Sequence, residues 1–343
     1  MEVSPATRAK AAATVPETML AAYQSAFGPP REVIDIRELP VPSLQPDQVL
    51  VRIAASSINA LDWHYLTGTP YLARATMGLV DPKRRIPGAD VAGTIVAVGD
   101  AVTGFRIGDE VFGDAGGGGF AEFAAARASV LAPRPANLSL EESATLGVAA
   151  LTALQGLRDW AGLKTGERVL VNGASGGVGT FAVQIARALG AGHITAVCST
   201  HNLETASDLG ADRVVDYTKE EFTDIDEPFD VFFDNAGSRS LGRSRRMLGR
   251  GGRLVMITGR KGRWVSPVPR LVAGVIRSRI WSQSFTSHTA VPSGDDGEVL
   301  RRMVEAGAVR PVMDRTFTLD RAADALAYQG EGHARAKSIV VPR

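Results

Sequence analysis

The chain shows two successive patterns of hydrophobic and polar positions. From Met19 to about Thr145, short apolar runs are separated by glycine and proline, which is typical of a compact, barrel-like β domain. From Gly147 to roughly Ala290, apolar runs of strand length alternate with stretches whose apolar residues recur at helical spacing. Such alternation predicts parallel strands joined by helices that cover both faces of a sheet.

The same patterns predict the individual elements. Helices are predicted over 140–150, where Ser139 and Glu142 have the spacing of a capping box, over 178–189 and over 298–306. The predicted strands are residues 48–54, 91–98, 110–112, 120–124, 169–171, 193–198, 213–217, 229–235, 253–258, 280–285 and 337–342.

A glycine-rich turn follows the strand at 169–171 and precedes a helix with one apolar face. Glycine lets an anion approach the main chain, and the N–H groups and positive dipole end of the helix attract negative charge. We therefore predict that the turn binds the diphosphate of a dinucleotide. Ala174 replaces the first glycine of the G-x-G-x-x-G motif, and an ordinary surface turn is the alternative. The residues predicted to line it are Gly173, Ala174, Ser175, Gly176, Gly177, Val178 and Gly179.

Length and composition restrict the class of protein. A chain of 343 residues suggests about two domains, and its formal net charge of +1 gives no reason to expect nucleic-acid binding. One cysteine excludes an internal disulfide framework, and no apolar run is long enough to span a membrane. Residues 1–18 are predicted to be a disordered extension, and the protein is expected in the cytoplasm.

Several motifs together resemble a known family. Residues 87–99, 105–111 and 172–179 are similar to the medium-chain dehydrogenase/reductase superfamily. Residues 57–62, 209–217 and 336–340 resemble its zinc-free quinone oxidoreductase branch, the ζ-crystallin-like enzymes. The resemblance implies an α/β protein with a GroES-like, β-rich catalytic domain (19–146 and 291–343) and an inserted, doubly wound Rossmann-fold parallel sheet (147–290). It also implies an active site in the cleft between the domains and a homodimer formed through the sixth strand of the parallel sheet.

The end of the second parallel strand bears on the choice of cofactor. An NAD-selective site usually has Asp or Glu there, but this strand ends in Ser199, Thr200, His201 and Asn202. These hydrogen-bond donors favour NADPH over NADH, and so does Tyr217, which the family uses in the same way. Glu204 weakens this preference. His201 and Asn202 are also compatible with an ordinary helix start. The further cofactor-binding positions, predicted at strand ends or from the resemblance, are Thr152, Asn235, Ala236, Gly237, Thr258, Gly259 and Lys337.

No set of metal ligands is evident. Zinc-dependent relatives have a cysteine where this chain has residues 56–59, Cys198 lies in a predicted buried strand, and His64 has no second soft ligand near it in sequence. Without a Lewis acid, the acceptor must already be electrophilic, which favours quinones and α,β-unsaturated carbonyl compounds as the small-molecule substrates.

The catalytic candidates lie in one predicted loop. Asn59 matches the asparagine that the family places beside the nicotinamide ribose and the acceptor. Tyr65 or His64 could donate a hydrogen bond or a proton, with ordinary loop packing as the alternative, and Asp62 is expected to tie the loop to backbone amides. Two other functions stay open: a non-catalytic NADPH-binding protein and an alcohol dehydrogenase.

Arginines and a lysine recur through residues 239–279, and no acidic residue occurs between Asp234 and Asp295. One interpretation is a solvated basic face that pairs with the acids of residues 216–234. The other is a steering surface for NADPH or for a charged acceptor such as a CoA thioester, with Arg263 reaching the cleft.

Overall fold

The structure is a computed structural model that describes residues 15–257, 272–274, 276, 281–332 and 334–342, and the statements below concern these residues. The strands before the glycine turn are β1 (Thr18–Gln24), β2 (Ile34–Pro40), β3 (Gln48–Ser57), β4 (Asp90–Val98), β5 (Glu110–Asp114), β6 (Phe123–Arg127) and β7 (Leu131–Pro133). Those from the turn onward are β8 (Arg168–Asn172), β9 (His193–Cys198), β10 (Arg213–Asp216), β11 (Phe229–Asp234), β12 (Leu248–Met256), β13 (Ser284–Thr286), β14 (Met313–Thr318) and β15 (Lys337–Val341).

Helices connect and flank these strands. They are α1 (Pro30–Val33), α2 (Ala60–Thr67), α3 (Arg74–Met77), α4 (Leu140–Ser143), α5 (Val148–Gln155), α6 (Gly177–Ala188), α7 (Leu203–Asp208), α8 (Leu241–Arg246), α9 (Gly294–Glu305) and α10 (Ala322–Glu331). Sequence periodicity did not predict α2, α10 or strand β14, because each is short or carries few apolar positions.

The first region forms a β-rich sheet with β3 at its centre. The strand order is β14-β15-β3-β4-β5-β7, and β6 also pairs with β3. Val49, Val51 and Ile53 of β3 pack with Val91 and Ile95 of β4 in one buried cluster, as the period-two pattern predicts. The sheet includes the last strand, β15, antiparallel to β3, so both ends of the chain contribute to this domain. The exact boundaries at residues 146 and 290 stay predictions.

Several predicted elements differ from the observed ones. β12 begins at Leu248 rather than at 253, β13 is Ser284–Thr286 rather than 280–285, and α9 begins at Gly294 rather than at 298. The strand expected at 120–124 begins at Phe123, because Phe120 exchanges backbone hydrogen bonds with Pro87 and Ala22 instead. The helix expected at 140–150 is two helices, α4 and α5, although the predicted capping box of Ser139 and Glu142 is present. β1 begins at Thr18 and Val15 packs on the core, so residues 15–18 belong to the folded region rather than to the extension predicted for 1–18.

The second region is a parallel sheet of six strands in the order β10-β9-β8-β11-β12-β13. Val169 and Val171 of β8 pack in the cluster that contains Phe181, while Leu170 packs in the cluster on the opposite face with Phe232. The central strand is therefore buried on both faces, which explains its uninterrupted apolar sequence. This order is that of a doubly wound dinucleotide domain, and the predicted fold class is confirmed.

Candidate active site at the junction of the two sheets

The glycine turn connects β8 to α6 in a conformation that requires glycine. Gly173 has φ +82°, and Gly176 caps α6, which begins at Gly177. A Cβ atom added to Gly179 would lie 2.0 Å from the Gly173 carbonyl oxygen and 2.8 Å from the Ala174 Cα atom. The helix therefore approaches the turn as closely as the backbone allows, so that the N–H groups of its first turn are available to a diphosphate.

Not every residue of the turn offers a donor. The N–H groups of Gly173 and Ala174 both donate to the Val197 carbonyl oxygen of β9, at 3.1 and 3.0 Å. These two positions hold the turn in shape, and the Gly176 N–H donates to the Gly173 carbonyl oxygen at 3.2 Å. The N–H groups of Ser175, Gly177, Val178 and Gly179 are the candidate phosphate donors. Ser175 contributes its carbonyl oxygen to the N–H of Ala336, at 2.8 Å, which joins the turn to the residue before β15.

The end of β11 lies beside the turn, as parallel strand ends should. The Asp234 carboxylate accepts hydrogen bonds from the Asn172 side chain at 2.8 Å and from the Gly237 N–H at 2.9 Å. A Cβ atom added to Gly173 would meet Ala236 at 3.3 Å, and one added to Gly176 would meet the Asn235 amide at 3.5 Å. The structure thus brings Asn235, Ala236 and Gly237 to the glycine turn, whereas Thr258 and Gly259 lie outside the described residues.

The predicted adenosine end also contains an acid that the sequence pattern did not reveal. Asp216 ends β10 and accepts the Thr200 hydroxyl at 2.5 Å and the Thr218 hydroxyl at 2.6 Å. The Thr200 and Thr218 hydrogen bonds lower the pKa of Asp216 to about 2. The Lys219 ammonium lies 3.6 Å from this carboxylate and partly compensates its negative charge. The Lys219 side chain is largely exposed.

The other predicted adenosine residues surround this acid in different ways. The Asn202 amide donates to the Ser199 hydroxyl at 2.9 Å, which is local helix-start chemistry. His201 and Tyr217 are both exposed, and the Tyr217 side chain is 53% exposed. Thr152, which the resemblance places near the nicotinamide or phosphate instead, donates its hydroxyl to the Val148 carbonyl oxygen at 2.6 Å, within α5.

The catalytic candidates lie on helix α2, not on a loop as the sequence interpretation assumed. The Asn59 N–H donates to the Asp62 carboxylate at 2.8 Å, and the Asp62 N–H donates to the Asn59 backbone carbonyl oxygen at 3.1 Å. The other Asp62 oxygen accepts the N–H groups of Gly88 and Ala89, at 3.2 and 3.0 Å. Asp62 therefore ties the start of α2 to the β4 side of the sheet, in line with its expected structural role.

His64 and Tyr65 differ in what their polar atoms contact. The His64 ring has Nδ1 2.8 Å from the Thr69 carbonyl oxygen, so a neutral ring donates there and stabilises the turn after α2. The Tyr65 side chain lines a pocket beside α2, and its ring is covered by the Arg84 guanidinium at 4.6 Å. Tyr65 is thus the more suitable of the two to reach an acceptor.

A buried polar cluster connects α2 with the glycine turn. Asp90 and Lys337, 0% and 2% exposed, approach within 3.6 Å. The Lys337 ammonium donates to the Asn59 amide oxygen at 2.6 Å and to the Ile58 carbonyl oxygen at 3.2 Å. The Asn59 amide nitrogen in turn donates to Asp90 at 2.8 Å. This network fixes which end of the Asn59 amide faces each charge.

Asp90 also explains the break between α4 and α5. The Asp90 Oδ1 atom accepts the N–H of Val148 at 2.6 Å, and the Asp90 Oδ2 atom accepts the Ser57 hydroxyl. A Cβ atom added to Gly147 would lie 2.2 Å from this carboxylate, so the preceding residue must be glycine. Asp90 was not predicted as a site residue, although it is the one charged residue in the stretch 87–99, which was a signal for it.

Lys337 reaches the cofactor region with its stem rather than with its charge. A Cβ atom added to Gly177 would meet the Lys337 Cδ atom at 2.9 Å. The ammonium donates to Asn59 and Ile58, and the Asp90 carboxylate lies at ion-pair distance, 3.6 Å. The lysine therefore borders the predicted phosphate site, but its charge is used to hold the start of α2.

Burial shifts the ionisation of the carboxyl groups near this cluster. It raises the pKa of Asp62 to about 6, with backbone hydrogen bonds opposing the shift. It raises the pKa of Asp114, at the end of β5, to about 7, and the Asp90 charge adds to the shift. Burial also lowers the pKa of Lys337, while Asp90 and Asp62 oppose that shift.

Asp114→Asn is expected to stabilise the protein above neutral pH. Because the folded-state pKa of Asp114 lies above its ordinary value, its stabilising contribution is present below about pH 4 and is lost as the pH rises to about 7. We expect the variant to gain roughly 2 kcal/mol at pH 8, since water penetration reduces such penalties below the full linkage value. Urea unfolding between pH 4 and 8 measures this gain, with the exposed carboxyl variant Asp100→Asn as control. An equal gain at pH 4 would contradict the explanation.

Three of the six arginines of 239–253 pair with acids in the described part of the chain. Arg239 binds both oxygens of Glu221, at 2.9 and 3.0 Å, and Arg243 approaches the same carboxylate at 3.3 Å. Arg253 pairs with Glu167. These contacts favour the paired-face interpretation for this portion, and Arg263 lies outside the described residues.

Two further findings concern membranes and metals. No helix among the described residues is both long and apolar enough to cross a bilayer. Within the same residues, no three His, Cys, Asp or Glu side chains are grouped so that they could hold a metal ion. Cys198 is buried, and burial raises its pKa to about 11.

A doubly wound sheet with a glycine turn, facing a buried polar cluster in a second, β-rich domain, defines a dinucleotide-dependent oxidoreductase. Comparison with known proteins agrees with this class. The chain matches the family described as "Alcohol dehydrogenase GroES-like domain" over residues 45–136, and that described as "Zinc-binding dehydrogenase" over residues 209–340.

Relatives and a solved structure identify the branch. The chain is 33% identical to the 2-methylene-furan-3-one reductase of Solanum lycopersicum, over 100% of this chain and 85% of that protein. It is 32% identical to the chloroplastic NADPH-dependent alkenal/one oxidoreductase of Arabidopsis thaliana, over 99% of this chain and 83% of that protein. The quinone oxidoreductase from Coxiella burnetii superposes with a TM-score of 0.83 at 26% identity, covering 95% of this chain and 100% of that one. The chain belongs to the medium-chain dehydrogenase/reductase superfamily, in its quinone oxidoreductase branch, and its cofactor is a nicotinamide dinucleotide.

Proposed function

We propose that the protein is an NADPH-dependent reductase that transfers a hydride, without a metal ion, to a quinone or an α,β-unsaturated carbonyl compound. The observation that carries this proposal is the position of Lys337. Its stem borders the first residue of α6, and its ammonium holds Asn59 at the start of α2. The glycine turn and the start of α2, which carries the catalytic candidates, therefore flank one buried side chain.

NADPH is preferred in this proposal because of the groups at the ends of β9 and β10. Ser199 and Thr200 offer hydroxyls there, and Lys219 offers a positive charge to a 2′-phosphate. Asp216 would favour NADH if its oxygens were free, but both accept hydrogen bonds from threonine side chains. The Arabidopsis relative is also named as NADPH-dependent.

The side chains of α2 and its surroundings position the acceptor. Bound NADPH supplies the hydride that adds to the acceptor, and a proton from solvent completes the reduction to the saturated carbonyl or the hydroquinone. The N–H groups at the start of α6 bind the diphosphate, and Asn59, held by Lys337 and Asp90, stands where the cofactor and acceptor meet. The Tyr65 hydroxyl, on the wall of the adjacent pocket, donates a hydrogen bond to the acceptor oxygen as negative charge develops on it.

Turnover assays test this function. Purified protein should oxidise NADPH faster than NADH with both a quinone and an alkenal, and a metal chelator should leave the rate unchanged. Tyr65→Phe should lower kcat by about tenfold or more, because one oxyanion donor is lost. Its affinity for NADPH and its melting temperature should stay the same.

Each alternative function gives a distinct result in the same assays. Saturable NADPH binding without turnover on any acceptor would indicate a non-catalytic binding protein. Oxidation of a secondary alcohol that the chelator abolishes would indicate a metal-dependent alcohol dehydrogenase. We retain the homodimer and the cytoplasmic location as part of this proposal.

A further inference from the structure

A short segment of the β-rich domain, residues 336–337, connects the glycine turn with the start of α2. On one side, the Ala336 N–H donates to the Ser175 carbonyl oxygen of the turn at 2.8 Å. On the other side, the Lys337 ammonium donates to the Asn59 amide oxygen at 2.6 Å. Two consecutive residues therefore join the predicted diphosphate site to the catalytic candidates.

The backbone of Ala336 is strained. Its φ is +42°, and among the described residues it is the one non-glycine residue with a positive φ. This conformation is intrinsically unfavourable for an L-residue, because the Cβ atom comes too close to the following carbonyl oxygen. The contacts on the two sides of Ala336 must therefore maintain it.

The left-handed conformation places Ala336 against the first residue of α6. A Cβ atom added to Gly177 would lie 3.1 Å from the Ala336 carbonyl oxygen and 2.9 Å from the Lys337 Cδ atom. A change of φ rotates the carbonyl group and everything that follows it relative to the N–H. If Ala336 relaxed to a negative φ, its carbonyl group and Lys337 would therefore leave their present positions together.

A bound diphosphate would act on this segment through one peptide group. The N–H groups of Ser175 and Gly177 are candidate phosphate donors, and they flank the peptide whose carbonyl oxygen accepts the Ala336 N–H. An anion held by both donors fixes the peptide between them, so it also fixes the acceptor of the Ala336 hydrogen bond. Binding at the turn therefore favours the left-handed form of Ala336 over a relaxed one.

We propose that Ala336 is a positioning residue that couples the cofactor site to the acceptor site. A diphosphate at the glycine turn stabilises its left-handed conformation, which directs Lys337 to Asn59 and completes the acceptor site. The cofactor then strengthens acceptor binding through the protein, before any contact between the nicotinamide and the acceptor. This inference rests on the proposed function, because it takes the turn as the diphosphate site and the start of α2 as the acceptor site.

The experiment uses nucleotides that cannot touch the acceptor. ADP with a 2′-phosphate contains the diphosphate but neither the nicotinamide nor its ribose, and adenosine 2′-phosphate lacks the diphosphate as well. Calorimetry measures the affinity of the wild-type protein for 1,4-naphthoquinone with each nucleotide at saturation. We expect the diphosphate nucleotide to lower the Kd of the quinone about fivefold or more, and adenosine 2′-phosphate to leave it unchanged. The diphosphate nucleotide should also slow amide hydrogen exchange in α2.

Ala336→Gly tests the strained residue itself. Glycine adopts positive and negative φ about equally, so roughly half of the molecules should hold the left-handed form without any nucleotide. This variant should bind the quinone more tightly than the wild-type protein when no nucleotide is present, and the diphosphate should then improve the affinity by no more than about twofold. Ala334→Gly is the matched control, because it gives the same freedom to a neighbouring residue whose φ is not positive, and it should keep the wild-type coupling.

Lys337→Met tests the path from Ala336 to α2. Removing the ammonium disconnects the segment from Asn59, so the diphosphate nucleotide should no longer change quinone affinity or hydrogen exchange. Ser57→Ala removes a hydrogen bond to Asp90 in the same buried cluster and leaves the hydrogen bonds of Ala336 and Lys337 in place. It should retain both effects.

Each failure has a distinct meaning. Coupling that survives Lys337→Met would overturn this path in favour of one through α5, which contacts both Asp90 and α6. Equal coupling in Ala336→Gly and the wild-type protein, or no coupling in the wild-type protein, would overturn the role of Ala336. Turnover of NADPH with the same quinone is measured separately, so the reductase function can stand without the coupling. If the wild-type protein bound neither nucleotide, the predicted diphosphate site would fail, and this inference with it.

Discussion

Gly179→Ala is expected to abolish detectable binding of NADPH. The new Cβ atom would overlap the Gly173 carbonyl oxygen at 2.0 Å and the Ala174 Cα atom at 2.8 Å, and both are backbone atoms that no rotamer change can move. The start of α6 must therefore shift away from the turn, and the N–H groups that face the diphosphate lose their arrangement. We expect an affinity loss of at least about a hundredfold, which fluorescence titration with NADPH measures.

Two other glycines provide controls for this prediction. A Cβ atom at Gly242, on α8, would meet nothing within 4 Å, so Gly242→Ala should leave both folding and binding unchanged. A Cβ atom at Gly176 would meet the chain no closer than 3.5 Å, and its φ of −80° suits alanine. The Gly176→Ala variant should therefore fold normally. Its affinity for NADPH should fall if the diphosphate lies against the turn. Normal NADPH affinity of Gly179→Ala would show that the diphosphate binds elsewhere.

Asp90→Ala is expected to cost the largest share of stability. The carboxylate pairs with buried Lys337 and accepts hydrogen bonds from Ser57, Asn59 and Val148, so its removal leaves an uncompensated charge and unpaired donors in the interior. Breaking a buried pair in this way typically costs about 3–5 kcal/mol. Urea unfolding measures the loss, and Asp35→Ala, which breaks the exposed pair with Arg37, should cost less than about 1 kcal/mol.

A double variant identifies the cause of that loss. If the buried ammonium is responsible, Asp90→Ala with Lys337→Met should be more stable than the sum of the two single changes, because methionine fills similar space without a charge. Strict additivity would assign the loss to the hydrogen bonds of Asp90 instead. Lys337→Met alone should lower kcat more than NADPH affinity, because the lysine holds Asn59 and its charge does not face the turn.

The sequence predicted elements best where one local pattern was sufficient. The apolar sequence of β8, the glycines after it and the apolar face of α6 are contiguous, so periodicity and glycine chemistry identified the dinucleotide turn. The capping box at Ser139 was found for the same reason. Helix α2 was interpreted as a loop, because its apolar residues do not form one helical face and its position depends on Asp62 accepting the N–H groups of Gly88 and Ala89.

What the sequence determined by itself was therefore the alternation of strands and helices, the glycine turn and the family resemblance. What only the tertiary structure decided was which charges meet: Lys337 with Asn59 and Asp90, Asp216 with Thr200, and Arg84 with Tyr65. The physical reason is that hydrophobic periodicity and turn chemistry act over a few residues, whereas a buried charge must find its partner in space. Lys337 and Asn59 are 278 positions apart, and only the pairing of β15 with β3 brings them together.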